Sequence, residues 1–107
     1  REDAKTVCRG LGMMVDTVPT SQMAVRFCEM EQPQLIIVDE RFKDEQFDEL
    51  RADLLRMQPN FPFIEVAYES NTLTMAGWMG ENMTRINRDK LAQQLPEALA
   101  IEMSKVL

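Results

Sequence analysis

The groups able to do chemistry in this sequence reduce to carboxylates, hydroxyls and cationic side chains. There is no histidine, and the only cysteines are Cys8 and Cys28. That removes the usual zinc sites, a Ser-His-Asp arrangement and a Cys-His nucleophile. Both cysteines sit in apolar helical patterns and read as small buried hydrophobes in the reduced state. Gly10, Gly12, Gly77 and Gly80 never assemble into a phosphate-cradling loop, so nucleotide binding has no support. What remains is a pair of adjacent carboxylates, Asp39 and Glu40, closing the apolar run Leu35-Ile36-Ile37-Val38. Together they can help hold a cation, although consecutive residues of a strand point to opposite faces. Alternatively, Asp39 caps the following helix or pairs with Arg41 or Arg85.

The elements that must position these groups follow from periodicity. Ala4, Val7, Cys8 and Leu11 recur at helical spacing over residues 2 to 11, with Gly10 and Gly12 as stop signals. Met13-Met14-Val15 leads into a β-capable run, Asp16-Thr17-Val18, stopped by Pro19. Thr20 or Ser21 then caps a helix with Met23, Ala24, Phe27 and Cys28 on one face, and Pro33 ends it. The unbroken apolar character of residues 34 to 39 predicts a strand buried on both faces in a parallel sheet. From Asp44 to Met57, Phe47, Leu50, Leu54 and Met57 recur at helical spacing while Asp48, Glu49, Arg51 and Asp53 face out as a solvated surface. Pro59 and Pro62 bracket a turn before a strand at Phe63 to Ala67, whose apolar run Glu65 interrupts. Asn71 or Thr72 caps a helix carrying Leu73, Met75, Ala76 and Met79, ended by Gly80 and followed by a short strand near Met83 to Ile86. Asp89 caps a last helix with Leu91, Leu95, Ala98, Leu99 and Val106 on one face, Glu102 as its polar intruder, and Pro96 as a kink or a delayed start.

Alternating helices and strands predict a single α/β domain over residues 1–107, a central parallel sheet between two layers of helices. Sites in such sheets gather at the carboxyl ends of strands, here Asp39, the Ala67 to Ser70 segment and the residues around Thr84. The eighteen acidic against twelve basic residues give a formal charge of −6, which repels nucleic acid and anionic membranes. No apolar run approaches the length of a membrane span, so the chain reads as cytoplasmic.

Gln34-Leu35-Ile36-Ile37-Val38-Asp39 resembles the third strand of bacterial response-regulator receiver domains, which have a flavodoxin-like fold. The likeness extends along the chain: the helix ending at Gly12, the strand at Val15 to Val18, the helix ending before Pro33, Pro62 opening the fourth strand and Leu91 opening the last helix. The resemblance implies that Asp39 is the phospho-acceptor and that the first strand, with the acidic residues that hold Mg²⁺, lies upstream of Arg1. The chain is then a fragment of a longer regulatory protein, and Asp39 is the only residue here placed to touch that metal. The resemblance also places a hydroxyl switch residue at Ala67, followed by Tyr68, and a switch lysine near Thr84, where the family's Lys-Pro pair reads Thr84-Arg85. Neither position carries the family's side chain. The loop after Asp39, Glu40-Arg41-Phe42-Lys43, also departs from the usual Met-Pro, and Gln46 stands where glycine is common. Ser70 or Thr84 can supply a substitute hydroxyl, and Arg41, Lys43 or Arg85 a substitute charge.

The expectation is therefore a two-component-type signalling domain with a degenerate site, without enzymatic turnover or cofactor. It acts through protein contacts, as a homodimer or against an output domain of its own chain, in a transcription regulator or a related signalling protein. Trp78, Met75 and Met79 are its candidate interface, since methionine repacks readily and tryptophan anchors contacts. An alternative is a competent receiver that accepts phosphoryl on Asp39 with Mg²⁺, served by a histidine kinase. A third is a flavodoxin-like domain binding a small ligand at the strand ends.

Overall fold

The computed structural model describes residues 3–68 and 84–106. Helix α1 (Ala4–Gly10) begins two residues later than the periodicity implies, because Asp3 accepts a hydrogen bond from the Thr6 amide and acts as its cap rather than as a helical residue. The helix closes in a Schellman turn: Met13 N–H donates to the Cys8 carbonyl, Gly12 N–H donates to that of Arg9, and Gly12 takes φ 83°. Thr20 caps α2 (Ser21–Met30) through a bond from the Met23 amide. Strand β1 (Ile36–Asp39) leads into a 3-10 turn over Glu40–Phe42, and Asp44 caps α3 (Glu45–Met57). Strand β2 (Phe63–Ala67) is buried along its whole length, and β3 (Thr84–Asn87) leads through a second 3-10 turn, Arg88–Lys90, into α4 (Leu91–Ser104).

The strands form one parallel sheet in the order β1-β2-β3. Its register aligns Asp39 with Val66 and Val66 with Ile86. Alternation along the strands feeds two cores. On one face Ile64, Val66 and Ile86 pack with Leu91, Leu95, Ala98 and Leu99 of α4 and with Cys8 of α1. On the other, Val38, Phe61 and Phe63 pack with Phe47 of α3. The Phe47 and Phe63 rings meet edge-on, with centroids 6.3 Å apart. This is the predicted α/β layering, with a three-stranded sheet among the described residues. Among those residues no helix is long and apolar enough to cross a membrane.

Three expectations are corrected. Residues 15 to 18 form no strand: a strand exists only within a ladder, and this run has no paired neighbour among the described residues. Asp89 does not cap the last helix. Asn87 caps the preceding 3-10 turn by accepting from the Asp89 amide, and the first turn of α4 has no side-chain cap. The helix is continuous from Leu91 with Pro96 inside it, so the proline does not delay its start. The expected helix around Leu73 to Met79, including Met75, Trp78 and Met79, and the substitute hydroxyl of Ser70 lie outside the described residues.

Candidate functional site

The carboxyl ends of β1 and β2 and the turns beyond them assemble a cluster of charged side chains around one tyrosine. Asp39 stands at the end of β1, its side chain 20% exposed, and both of its oxygens are occupied by its near neighbour. Oδ1 accepts from the Arg41 amide at 2.9 Å and from Arg41 Nε at 3.2 Å, while Oδ2 accepts from Arg41 Nη2 at 3.0 Å. The amide bond makes Asp39 the cap of the 3-10 turn; the forked guanidinium bonds make it an ion pair. Burial pushes the Asp39 carboxyl upward, but the bonds from Arg41 and Tyr68 outweigh it and hold the group below its ordinary pKa. The cap and the Arg41 pair, which the sequence left as alternatives to cation binding, are both formed.

Arg41 also donates to the Tyr68 hydroxyl at 2.7 Å, and its guanidinium carbon lies 3.7 Å from the ring centroid. The Arg88 guanidinium approaches the same ring at 4.6 Å. Burial and the neighbouring Asp39 carboxylate raise the Tyr68 hydroxyl pKa, so the phenol stays protonated.

Glu40 does not join Asp39 around a common point. Its Oε2 accepts from the Tyr68 amide at 3.1 Å and from Arg85 Nη2 at 3.0 Å. Arg85 bridges from there to Glu65, with Nε 3.2 Å from Glu65 Oε2, and Lys43 Nζ reaches Glu65 Oε1 at 2.6 Å. The Arg85–Glu65 contact is an ion pair without hydrogen-bond alignment, since neither Arg85 Nε nor Glu65 Oε2 has a hydrogen-bond partner. Glu65 is 1% exposed, and a carboxylate that deep is tolerable only beside cations. The sequence carried the sign of this network in Glu65, a charge breaking an otherwise apolar strand. Its partners Lys43 and Arg85 are far away in sequence and were legible only as spare charges.

The two switch positions fare differently. Ala67 ends β2 one residue beyond the level of Asp39, buried and without a hydroxyl. Thr84 is not at the carboxyl end of its strand. It opens β3, level with Ile64, two residues before the Asp39 level, and its hydroxyl donates to Glu102 Oε2 at 2.6 Å on the α4 side. The expected strand ended at Ile86, whereas β3 ends at Asn87, so Asn87 and Arg88 stand at the end where Thr84-Arg85 was expected. Thr84 therefore cannot serve as a substitute hydroxyl for Asp39. No group of three or more acidic or cysteine side chains is placed to share a metal ion among the described residues. Comparison of the chain with protein-family models, with curated proteins and with solved structures finds no match.

Proposed function

We infer that this chain is a receiver-like signalling domain of flavodoxin-like fold that works through protein contacts and self-association, with its phosphoryl-accepting site occupied by ion pairs within the chain. The occupation of Asp39 carries this reading. An acceptor carboxylate must present an unobstructed oxygen to the incoming phosphorus and share a metal ion with other acids. Here Arg41 bonds both Asp39 oxygens, and Glu40 and Glu65 are committed to Arg85 and Lys43. The cations Arg41, Arg85 and Lys43 are thus each paired with a carboxylate of the chain itself. Turnover is not part of this reading, and no cofactor is required.

One observation favours the competent receiver. The Arg41 side chain is 60% exposed, and an ion pair that open is worth only about 0 to 1 kcal/mol, so an incoming ligand can displace it. Amide NMR during titration with Mg²⁺ and then beryllofluoride, a mimic of phosphoryl on aspartate, separates the two. The degenerate reading expects no saturable shifts at Asp39, Arg41 or Ala67. Saturable shifts centred on Asp39 in the parent protein overturn it. Shifts that arise only after Arg41→Ala identify that guanidinium as the block.

A further inference from the structure

The carboxyl end of the sheet carries two patches of opposite charge side by side. Along the strand order β1-β2-β3 the acidic patch follows β1: Glu45, Asp48 and Glu49, in the first turns of α3, are exposed and make no ion pair among the described residues. The cationic patch lies over the ends of β2 and β3. Arg88 and Lys90 are exposed and likewise without a carboxylate, and the Arg88 guanidinium rests on the Tyr68 ring at 4.6 Å. Arg41 folds onto the same ring; its bonds to Asp39 and Tyr68 use Nε and Nη2 and leave Nη1 without a partner among the described residues. Phe42 stands between the two patches in the chain, 53% exposed, with its carbonyl accepting from Ser21 Oγ at 3.4 Å. Acids at the amino end of a helix need no further reason, because the helix dipole favours them there. The fold itself does not account for the open Phe42 ring, nor for a guanidinium stacked on tyrosine with its hydrogen-bonding edge unspent.

We propose that this end of the molecule is a two-fold self-association face, on which the Arg41 and Arg88 guanidiniums of one copy meet the Glu45, Asp48 and Glu49 carboxylates of a second, with Phe42 of both copies between them. The face gives the self-association inferred above its surface, and rests on that reading. Charge complementarity selects the occupant. Because the two patches are neighbours on one end, a two-fold axis between them sets each against its opposite twice, and the contact closes as a dimer instead of running on as a filament. An unrelated acidic partner matches only the cationic half and leaves three carboxylates facing its own charge. Arginine and aromatic side chains at the centre are the composition of an interface core. They are also held before contact: Asp39 and Tyr68 fix the Arg41 fork, and Ser21 fixes the Phe42 backbone, so little freedom is lost on association. The net charge of −6 on each copy opposes association, but charges beyond about 8 Å are screened at physiological salt, so the pattern at the contact outweighs the total.

Sedimentation equilibrium of the full chain at concentrations up to about 1 mM measures the dimer dissociation constant. Arg88→Glu should raise it roughly tenfold or more, since one substitution alters two symmetric contacts, and Glu49→Lys should do the same. The double variant Arg88→Glu/Glu49→Lys restores opposite signs across the face and should dimerise more tightly than either single variant. Arg56→Glu changes the net charge as Arg88→Glu does, but in the last turn of α3, and should leave the constant within about twofold. Phe42→Ala should weaken the dimer by roughly tenfold or more. Each substituted side chain is exposed, so an unchanged urea midpoint confirms that every variant folds. A chain that stays monomeric over the whole range overturns both this face and the self-association on which it rests. A dimer that ignores the two reversals and Phe42→Ala, or that Arg56→Glu weakens as much as Arg88→Glu, overturns this face and leaves self-association standing.

Discussion

Glu102 offers the sharpest check on how this fold is held. Its side chain is fully buried, at 0% exposure. Oε1 accepts from the Phe63 amide at 3.2 Å; Oε2 accepts from the Thr84 hydroxyl at 2.6 Å and from Lys105 Nζ at 2.7 Å. The carboxylate thus ties the start of the central strand and the start of β3 to the end of α4. Glu102→Leu leaves the buried Phe63 N–H without a partner, at a cost of about 1 to 3 kcal/mol, and strands the half-buried Thr84 hydroxyl for roughly another 1 kcal/mol. Lys105, 32% exposed, turns to solvent at little cost. The apolar replacement returns about 1 kcal/mol through burial. The net expectation is a loss of about 1 to 3 kcal/mol, read as a lower urea midpoint at unchanged slope in far-UV circular dichroism. Glu102→Gln keeps an acceptor for Phe63 and should lose only about 1 kcal/mol. Thr84→Val closes the cycle: it should cost at least ~0.5 kcal/mol more in the parent than in the Leu variant. A Leu variant within about 0.5 kcal/mol of the parent refutes the account, because that is the scatter of inert surface changes.

Two further outcomes follow from local geometry. Gly12→Ala places a Cβ at φ 83° with nothing within 4 Å to obstruct it. It should destabilise by about 1 kcal/mol from the left-handed backbone alone, and a neutral result in urea melts counts against the Schellman closure of α1. Asp44 and Asp39 both titrate below their ordinary range, Asp44 first through the Phe47 amide bond it accepts as the α3 cap. A carboxylate with a depressed folded pKa adds stability above the unfolded value of about 3.9 and loses it as pH falls through the lower folded value. The urea midpoint should therefore drop on acidification below about pH 4, and less steeply in Asp44→Asn, which keeps a capping acceptor but does not titrate. An identical drop in that variant removes Asp44 from the acid response.

How much of this was legible beforehand varies with the range of the interaction. Helices α1, α2 and α3 and strands β1 and β2 were readable because amphipathic periodicity, Asp44, Thr20 and Gly12 act within one or two turns of chain. Asp39 at the end of an apolar strand, and the oddness of Glu65 and Glu102, were visible as residue types in the wrong company. What those residues do was not visible. Glu65 finds Lys43 and Arg85, and Glu102 finds Phe63 and Thr84, across distances in sequence that no local pattern encodes.

Sequence alone determined the class of fold, the −6 charge that disfavours polyanion partners, and the absence of imidazole chemistry. Tertiary structure decided the rest, because strand pairing and ion pairing depend on a neighbour's position rather than on a residue's own propensity. Val15 to Val18 has the composition of a strand yet forms none without a paired neighbour. Thr84 lies at the opposite end of β3 from its expected place because register, set by β2 and by the hydrogen bond to Glu102, overrode spacing counted along the chain. Asp39, free on paper to be a nucleophile, a metal ligand or a cap, is held by the guanidinium two residues away, since the 3-10 turn folds Arg41 back onto it.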